Sequence, residues 1–335
     1  MSVAGAEVSV ALCTHNGERF IAEQLASILS QSILPGQIVI SDDASTDSTL
    51  AVVAETVDLF TRRHPDAAVE ITIERNRVAL GVAANFEQAI RSCRGELIAL
   101  CDQDDLWAPD RLRRIIDEFG AHPALVLIHS DARLIDGSGR ALPASLFEAL
   151  EIDDRMVEAE HDGHAFESLM KRNTVTGATT VIRRSLARTA MPFPQPWLHD
   201  EWLAVVGAAT GEVDVLEEKL VDYRQHDLNQ IGASRLSLLG NFRRLLEPGS
   251  QRNERLLARA RVLLDRLGDL DVAPERVEAA RSKVAHEQAR SALPAARFGR
   301  IWPIIRELRT GRYGSFGRGL SDAVRDLLQP LGPSG

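Results

Sequence analysis

The chain has 335 residues, 44% of them hydrophobic, and a formal net charge of −9 at neutral pH. This length and composition are sufficient for one large domain and a smaller one, each with a buried core. The acidic balance argues against a protein that binds nucleic acid over a broad basic face. No apolar run approaches the ~20 residues that cross a bilayer. No basic segment precedes the first apolar run, so we expect neither a membrane span nor a secretion signal.

Strand-like and helix-like patterns alternate through the N-terminal part of the chain. Apolar β-rich runs occupy residues 8–13, 37–41, 68–73, 96–101 and 124–129, and amphipathic helical patterns separate them. This alternation predicts an α/β fold with a Rossmann-like, mostly parallel sheet flanked by helices. From about residue 233 the sequence predicts helices alone. We therefore place an α/β domain at residues 1–232 and a C-terminal helical region at residues 233–335.

The cysteines indicate the redox compartment. There are three, at Cys13, Cys93 and Cys101, and no two of them have the CxxC spacing. An odd number without that spacing is typical of reduced, mostly buried thiols. We expect a cytoplasmic protein.

Polar clusters follow three of the predicted strands. The carboxyl ends of parallel strands meet at one rim of a sheet, where ligands bind in this class of fold. The first strand is followed by Thr14 and Asn16, the second by Asp42 and Asp43, and the fourth by Asp102, Asp104 and Asp105. These side chains are therefore predicted to line one site.

Asp102 and Asp104 have the spacing that places two hard oxygen ligands on one side of a turn. Mg²⁺ or Mn²⁺ uses such a pair when phosphates and water supply its other ligands. Asp105 would orient the loop or accept hydrogen bonds from a substrate. The alternative is an acidic entry to the helix predicted to begin near Pro109.

Asp42 lies at the end of the second predicted strand, ahead of the residues that form the turn and cap the next helix. Its carboxylate is not needed for capping and could accept a hydrogen bond from a nucleobase.

Seven segments carry a resemblance to a known family. In chain order they read ALCTHNGERFIAEQLASILSQ, IVISDDASTDST, GVAANFEQAI, LIALCDQDDLWAPDRL, NTVTGATT, LHDEWLAVV and YRQHDLNQIGA. Together they resemble the successive motifs of family 2 glycosyltransferases of the GT-A fold, and within that family the bacterial rhamnosyltransferase-type enzymes. The resemblance covers roughly residues 7–234 and leaves the C-terminal hundred without a signature.

The resemblance implies a nucleotide-sugar donor and a divalent metal, Mn²⁺ or Mg²⁺. The positions that match the family's nucleotide-binding residues are Thr14, Asn16, Asp42, Asp43, Arg77 and Asp102. Asp102 and Asp104 match its metal motif, and His226 matches a histidine that contacts the metal or the diphosphate. A lone histidine is more often a structural residue.

The LHDEW segment holds the residue expected to do the chemistry. Asp200 matches the family's catalytic carboxylate, and a carboxylate at a helix start can present a base to an attacking hydroxyl. Without the resemblance, an N-cap role for Asp200 is equally good. Glu201 stands where related enzymes often have an aromatic residue, so it is the second candidate. Gly177 would let the backbone approach a sugar, although a plain turn explains it almost as well.

The function implied is inverting transfer of L-rhamnose from dTDP-L-rhamnose to a surface polysaccharide or a lipid-linked glycan. Alternatives are a UDP-hexose-dependent transferase, a nucleotidyltransferase, and a catalytically silent sugar-nucleotide-binding scaffold. The glycine-rich, Lys- or Arg-bearing first loop of nucleotidyltransferases is absent from the sequence.

Residues 291–335 hold seven arginines and three acidic residues, together with several aromatic residues. That segment fits peripheral contact with the cytoplasmic membrane, or equally an oligomer contact.

Overall fold

The structure is a computed structural model that describes residues 8–226 and 249–329. Its described residues form two compact units. The first comprises residues 8–163, 175–207 and 211–226, and the second comprises 164–174, 208–210 and 249–329. The boundary predicted at Gly232 lies outside the described residues. Residues 164–174 and 208–210 group with the C-terminal helices in the second unit.

The first unit contains two sheets and the helices that cover them. Its strands are β1 (Val8–Thr14), β2 (Gln37–Asp42), β3 (Glu70–Arg75), β4 (Leu97–Cys101), β5 (Leu106–Trp107), β6 (Leu125–Ser130), β7 (Arg133–Asp136), β8 (Ala141–Ser145), β9 (Val181–Arg183), β10 (Glu212–Leu216) and β11 (Val221–Gln225). The larger sheet has the order β10-β6-β9-β4-β1-β2-β3, and the smaller has the order β5-β11-β7-β8. In the larger sheet β9 runs antiparallel to β4 and β6, and the other pairs are parallel. The predicted α/β fold with a mostly parallel sheet is confirmed.

Helices connect these strands, the first four of them in the alternation that the periodicity indicated. They are α1 (Ile21–Leu29), α2 (Thr49–Arg63), α3 (Val82–Ser92), α4 (Arg111–Ala121), α5 (Leu146–Ala149), α6 (Asp154–His161), α7 (Ala165–Lys171), α8 (Arg184–Ala190) and α9 (His199–Thr210), with a 3₁₀ turn at Gly177–Thr179. Every residue of β1, β2 and β4 is buried, whereas β3 at the sheet edge is partly exposed. Strands covered on both faces read as continuous apolar runs, which is why the sequence revealed them.

The second unit is helical. After α7 it contains α10 (Gly249–Gly268), α11 (Pro274–Ser291), α12 (Arg297–Arg309), α13 (Arg312–Phe316) and α14 (Leu320–Leu328). Leu293, Ile304, Tyr313 and Ala323 form a small core in it. None of the helices in the part of the chain that the structure describes has the length and apolar content to span a bilayer.

Candidate active site at the carboxyl rim of the sheet

The strand register brings the predicted polar residues to one rim. Thr14, the last residue of β1, is paired with Asp42, the last residue of β2, and Leu12 is paired with Cys101 at the end of β4. Asp102 follows Cys101 directly and therefore lies beside the end of β1. Because these ends are adjacent in a parallel sheet, residues far apart in sequence share one site.

Asp42 is fully buried and already has donors within the protein. Its Oδ1 accepts hydrogen bonds from Thr14 Oγ1 at 2.9 Å and from Ser45 Oγ at 2.5 Å, and its Oδ2 accepts from the Ser45 backbone N–H at 3.0 Å. These bonds fix the turn after β2. A contact between Asp42 and a nucleobase stays a prediction.

Asp43 organises the loop between β3 and α3. Its Oδ1 accepts from the Leu80 N–H at 2.7 Å and from Asn76 Nδ2 at 3.1 Å, and its Oδ2 accepts from the Gly81 N–H at 2.9 Å. Gly81 has φ +86°, a conformation that favours glycine. The loop carries the exposed Arg77 beside the rim, so Asp43 determines where that cation is presented.

The loop after β1 is held by contacts from two other segments. The Asn16 side-chain oxygen accepts a hydrogen bond from the Thr46 N–H at 2.9 Å, and the Asn16 backbone N–H donates to Ser45 Oγ at 2.8 Å. Gln103, between the two aspartates of the metal motif, bonds the backbone of His15. The predicted nucleotide-binding segments therefore contact one another directly.

The acidic loop is not a helix entry. α4 begins at Arg111 with Asp110 as its N-cap, and β5 lies between that helix and the carboxylates. Asp104 Oδ2 lies 2.8 Å from His226 Nε2, and the two side chains are 16% and 8% exposed. The structure thus brings together Asp104 and His226, which are 122 residues apart.

Asp105 has an internal role. It is 2% exposed, and its Oδ1 accepts a hydrogen bond from the Arg224 backbone N–H at 2.9 Å. Arg224 Nε in turn donates to the Asp104 carbonyl at 2.7 Å. These bonds join β11 to the acidic loop, and both roles proposed for Asp105 stay predictions.

The carboxylates destabilise one another as anions. Burial, then the charges of Asp104 and Asp200, raise the pKa of Asp102 to about 7. In residues 8–226 and 249–329 no Lys or Arg forms an ion pair with Asp102. A divalent cation would relieve this repulsion, and the carboxylate oxygens and the imidazole suit Mn²⁺ or Mg²⁺.

The predicted ligand set is not a preformed cage. Among the described residues, no three His, Cys, Asp or Glu side chains are arranged to hold a metal ion by themselves. Asp102, Asp104 and His226 would hold a cation only as a partial set, and phosphate or water oxygens would have to supply the remaining ligands.

Asp200 lies at the start of α9, next to the 3₁₀ turn. The N-cap of α9 is Leu198, so Asp200 is not the capping residue. Its Oδ2 accepts a hydrogen bond from the Gly177 N–H at 3.1 Å, and its Oδ1 accepts from the Glu201 N–H at 2.8 Å. Asp200 is half-buried and close enough to Asp102 to raise its pKa. Glu201 is only 6% exposed, which favours Asp200 as the group that meets a substrate.

Two residues of this site were not singled out from the sequence. His199 is stacked on Phe86, with ring centroids 3.9 Å apart, and burial lowers its pKa to about 3. Burial and the surrounding carboxylates, first Asp105 and Asp102, raise the pKa of Tyr223 well above its ordinary value. Tyr223 belongs to the YRQH segment, which was the available signal for it.

The mostly parallel sheet, with carboxylates of three segments at one rim, is a fold of the GT-A type. The sequence model of glycosyl transferase family 2 matches residues 9–188. The chain belongs to that family, which confirms the resemblance seen in its motifs.

Relatives with assigned and unassigned functions are similar to this chain. The dTDP-rhamnosyl transferase RfbG of Shigella flexneri is 27% identical over 245 residues, which cover 70% of this chain and 78% of RfbG. An uncharacterized protein of Mycobacterium bovis is 29% identical over 228 residues, 65% of this chain and 59% of that protein. The chain thus spans about three fifths of the length of its mycobacterial relatives.

Two solved structures share the fold. Staphylococcus aureus TarS 1–349, in complex with UDP-GlcNAc, superimposes with a TM-score of 0.59 at 15% identity, covering 96% of this chain and 88% of that chain. The mannosyltransferase PcManGT from Pyrobaculum calidifontis, in complex with GDP-Man and Mn²⁺, gives a TM-score of 0.54 at 18% identity, covering 96% and 79%. At these identities the likeness shows the fold.

Proposed function

We propose that this protein is a metal-dependent inverting glycosyltransferase that moves L-rhamnose from dTDP-L-rhamnose to a hydroxyl of a surface-polysaccharide or lipid-linked glycan acceptor. The observation that carries the proposal is the position of the half-buried Asp200 at the carboxyl rim. Its Oδ2 accepts a hydrogen bond from the Gly177 N–H at 3.1 Å, and directly after that 3₁₀ turn the Thr180 carbonyl accepts one at 3.0 Å from the N–H of Leu100, two residues before Asp102. This contact supports a base role for Asp200 near the loop that would hold the donor diphosphate. The similarity to the Shigella rhamnosyl transferase supports the choice of sugar. We place the reaction in the cytoplasm.

In the proposed reaction, Asp200 takes the proton of the acceptor hydroxyl. The acceptor oxygen forms a bond to the anomeric carbon of the donor as the bond from that carbon to the diphosphate oxygen breaks. The configuration at the carbon is inverted, and the nucleoside diphosphate leaves with the bonding electrons. The Gly177 N–H, which bonds Asp200 Oδ2 at 3.1 Å, holds the carboxylate in position.

Asp102, Asp104 and His226 would hold the divalent cation, Mn²⁺ or Mg²⁺. When bound, this cation would neutralise the negative charge that develops on the leaving diphosphate. Asp105 and Arg224 keep the loop in place through the bond from the Arg224 N–H to Asp105 Oδ1. The donor's base and ribose would lie by Thr14, Asn16, Asp42 and Asp43, next to the loop that carries Arg77.

Calorimetric titration with dTDP and with UDP, each with Mn²⁺ and with EDTA, tests the proposal. We expect dTDP to bind more tightly than UDP, and both to require the metal. Asp104→Asn should lose the metal-dependent binding. The matched control is Asp110→Asn, since Asp110 is a carboxylate with a 72% exposed side chain a few residues away, and it should bind like the wild type.

Measuring turnover beside nucleotide affinity separates a defect in chemistry from a defect in binding. Asp200→Asn should keep nucleotide affinity and lose turnover by about 10²–10⁴-fold, the usual contribution of a general base. Tighter binding of UDP would replace the donor with a UDP-hexose. Wild-type turnover in Asp200→Asn would contradict the assignment of the base, and nucleotide binding without turnover in the wild type would favour the scaffold alternative.

A further inference from the structure

Helices α12 and α14 expose large apolar side chains to solvent. On α12, Phe298 is 89% exposed, Trp302 66% and Ile301 43%; on α14, Leu320 is 72% exposed, Leu328 54% and Val324 53%. The α12 residues have the spacing i, i+3, i+4, and the α14 residues have the spacing i, i+4, i+8. Each set therefore lies along one face of its helix. We call these six residues the outer faces of α12 and α14.

The opposite faces of the same helices hold the unit together. On α12 the buried residues are Arg300, Ile304 and Glu307, and on α14 they are Asp322, Ala323 and Asp326. The two helices pack against each other, and Ile304 and Ala323 belong to the core of the unit. The outer faces are therefore not needed for folding. Exposed aromatic and aliphatic side chains arranged in this way indicate an interaction surface.

The acidic residues of this region are buried and internally bonded. Asp326 accepts hydrogen bonds from Arg290 Nε at 2.7 Å and from the Tyr313 hydroxyl at 2.9 Å. Glu307 bonds His286 and Arg312, and Asp322 bonds Arg325 and the Arg318 N–H.

Within described residues 292–329, the exposed charged side chains are all arginines, namely Arg297, Arg306, Arg309 and Arg318. Arg309 also lies over the Trp302 ring, 5.7 Å from its centroid. The exposed side chains of residues 292–329 therefore carry positive charge and no negative charge.

We propose that the outer faces of α12 and α14 bind an anionic phospholipid membrane surface. Arginine side chains attract lipid phosphates, aromatic rings favour the interfacial layer, and aliphatic side chains enter the boundary of the acyl chains. A second copy of this chain fits poorly. A two-fold interface would bring this positively charged surface against its own copy, without an exposed carboxylate of residues 292–329 to neutralise the arginines. The inference does not depend on the donor or on the catalytic assignment.

Trp302 provides a direct test. Of the four tryptophans, Trp107, Trp197 and Trp202 are at most 8% exposed, so Trp302 is the one that can meet lipid. The full-length protein is mixed with two kinds of vesicle, both with brominated acyl chains. One kind contains phosphatidylcholine alone, and the other contains phosphatidylcholine and phosphatidylglycerol. We expect binding and fluorescence quenching only with the anionic vesicles, and the quenching should disappear in Trp302→Ser.

Paired variants separate the apolar and the electrostatic parts. Phe298→Ser with Trp302→Ser should weaken vesicle binding by at least ~10-fold, as loss of two interfacial anchors requires. Arg306→Gln with Arg309→Gln should reduce both the affinity and its sensitivity to salt. Leu59→Ser with Ile33→Ser, and Arg62→Gln with Arg63→Gln, are matched controls on exposed residues of the first unit and should bind like the wild type. Circular dichroism and thermal unfolding should be unchanged in all of them, since every substituted side chain is exposed.

Three results of the vesicle experiments would overturn the inference. They are equal binding to neutral and anionic vesicles, no binding to either, and binding that the outer-face variants leave unchanged. A dimer in sedimentation equilibrium that Phe298→Ser with Trp302→Ser dissociates would also overturn it, because the surface would then be a protein interface.

Discussion

The side chain of Gln103 forms two hydrogen bonds with the backbone of His15. Its Oε1 accepts from the His15 N–H at 2.8 Å, and its Nε2 donates to the His15 carbonyl at 3.1 Å. A Cβ at Gly17 would lie only 2.1 Å from Gln103 Oε1, so glycine leaves the space for this contact. The amide therefore joins the loop after β1 to the loop that carries Asp102 and Asp104.

Gln103→Ala should loosen both loops. Loss of both bonds leaves backbone groups of His15 without these partners, so the free energy of unfolding should fall by about 1–3 kcal/mol. Metal-dependent nucleotide binding should weaken by about 10-fold, equivalent to 1.4 kcal/mol. Chemical denaturation and calorimetry measure the two effects. Gly17→Ala should give the same pair of changes by displacing Gln103, and wild-type behaviour of Gly17→Ala would contradict the role of this contact.

Asp43→Asn should release the loop between β3 and α3. The carboxylate accepts hydrogen bonds from Leu80, Gly81 and Asn76, and an amide has only one acceptor oxygen for them. The exposed Arg75 and Arg77 then become better substrates for trypsin, because cleavage requires local opening of the chain. We expect cleavage there to be about 10-fold faster, which corresponds to a fall of about 1.4 kcal/mol in the free energy of local opening.

The matched control for the loop is Asp66→Asn, which changes an exposed carboxylate before the same strand. Its cleavage rate should equal that of the wild type. Unchanged cleavage after Arg77 in Asp43→Asn would show that Asp43 does not hold the loop.

The sequence was sufficient for the sheet and for the location of the site, because both follow from local patterns. Apolar runs revealed the buried strands, and polar residues directly after them revealed the rim. It could not reveal the partners of those polar residues. Asp42 meets Ser45 and Thr14, and Asp43 meets the backbone of Leu80, because the turn geometry aims each carboxylate differently. That geometry depends on contacts between distant segments.

The same limit applies to His199 and to the helical unit. His199 is next to Asp200 in sequence, but its burial arises from Phe86, which is on another helix. The composition of residues 291–335 shows three acidic residues beside seven arginines, but not which of these charges are exposed. Asp326 and Glu307 are hydrogen-bonded to Arg290 and His286 of α11, which lie outside that segment.

Gly177→Ala should disturb the base without disturbing the nucleotide site. A Cβ at this position would meet His199 Nε2 at 2.9 Å and Asp200 Cβ at 3.5 Å. His199 is held by its stack on Phe86, so the displacement passes to the start of α9 and to Asp200. Misplacement of a reacting group by about 1 Å can cost 10²-fold in rate. We expect kcat to fall by about 10–100-fold and nucleotide affinity to stay unchanged.

Steady-state kinetics and calorimetry check this prediction. Gly268→Ala is the matched control, since a Cβ there meets no atom within 4 Å, and it should behave like the wild type. A change in nucleotide affinity equal to the change in kcat would show that Gly177 acts through the donor site instead.

His199 should make the stability of the first unit depend on pH. Burial lowers its pKa from 6.5 to about 3, so the unfolded chain takes up the proton first as the pH falls. The stabilisation is fully present above pH 6.5 and is lost as the pH falls from there towards 3. One proton corresponds to a slope of about 1.4 kcal/mol per pH unit. His199→Asn should therefore flatten the loss of stability between pH 6.5 and pH 5 relative to the wild type.

Urea denaturation at a series of pH values measures this slope. His122→Asn removes a histidine whose side chain is 53% exposed, and it should keep the wild-type dependence on pH. Burial also lowers the pKa of His286 in the second unit, so His286→Asn should flatten the slope of a transition that belongs to that unit. The expected difference arises because the folded protein buries a neutral imidazole. Equal slopes of unfolding free energy against pH for His199→Asn and the wild type would therefore show that His199 becomes charged in the folded protein.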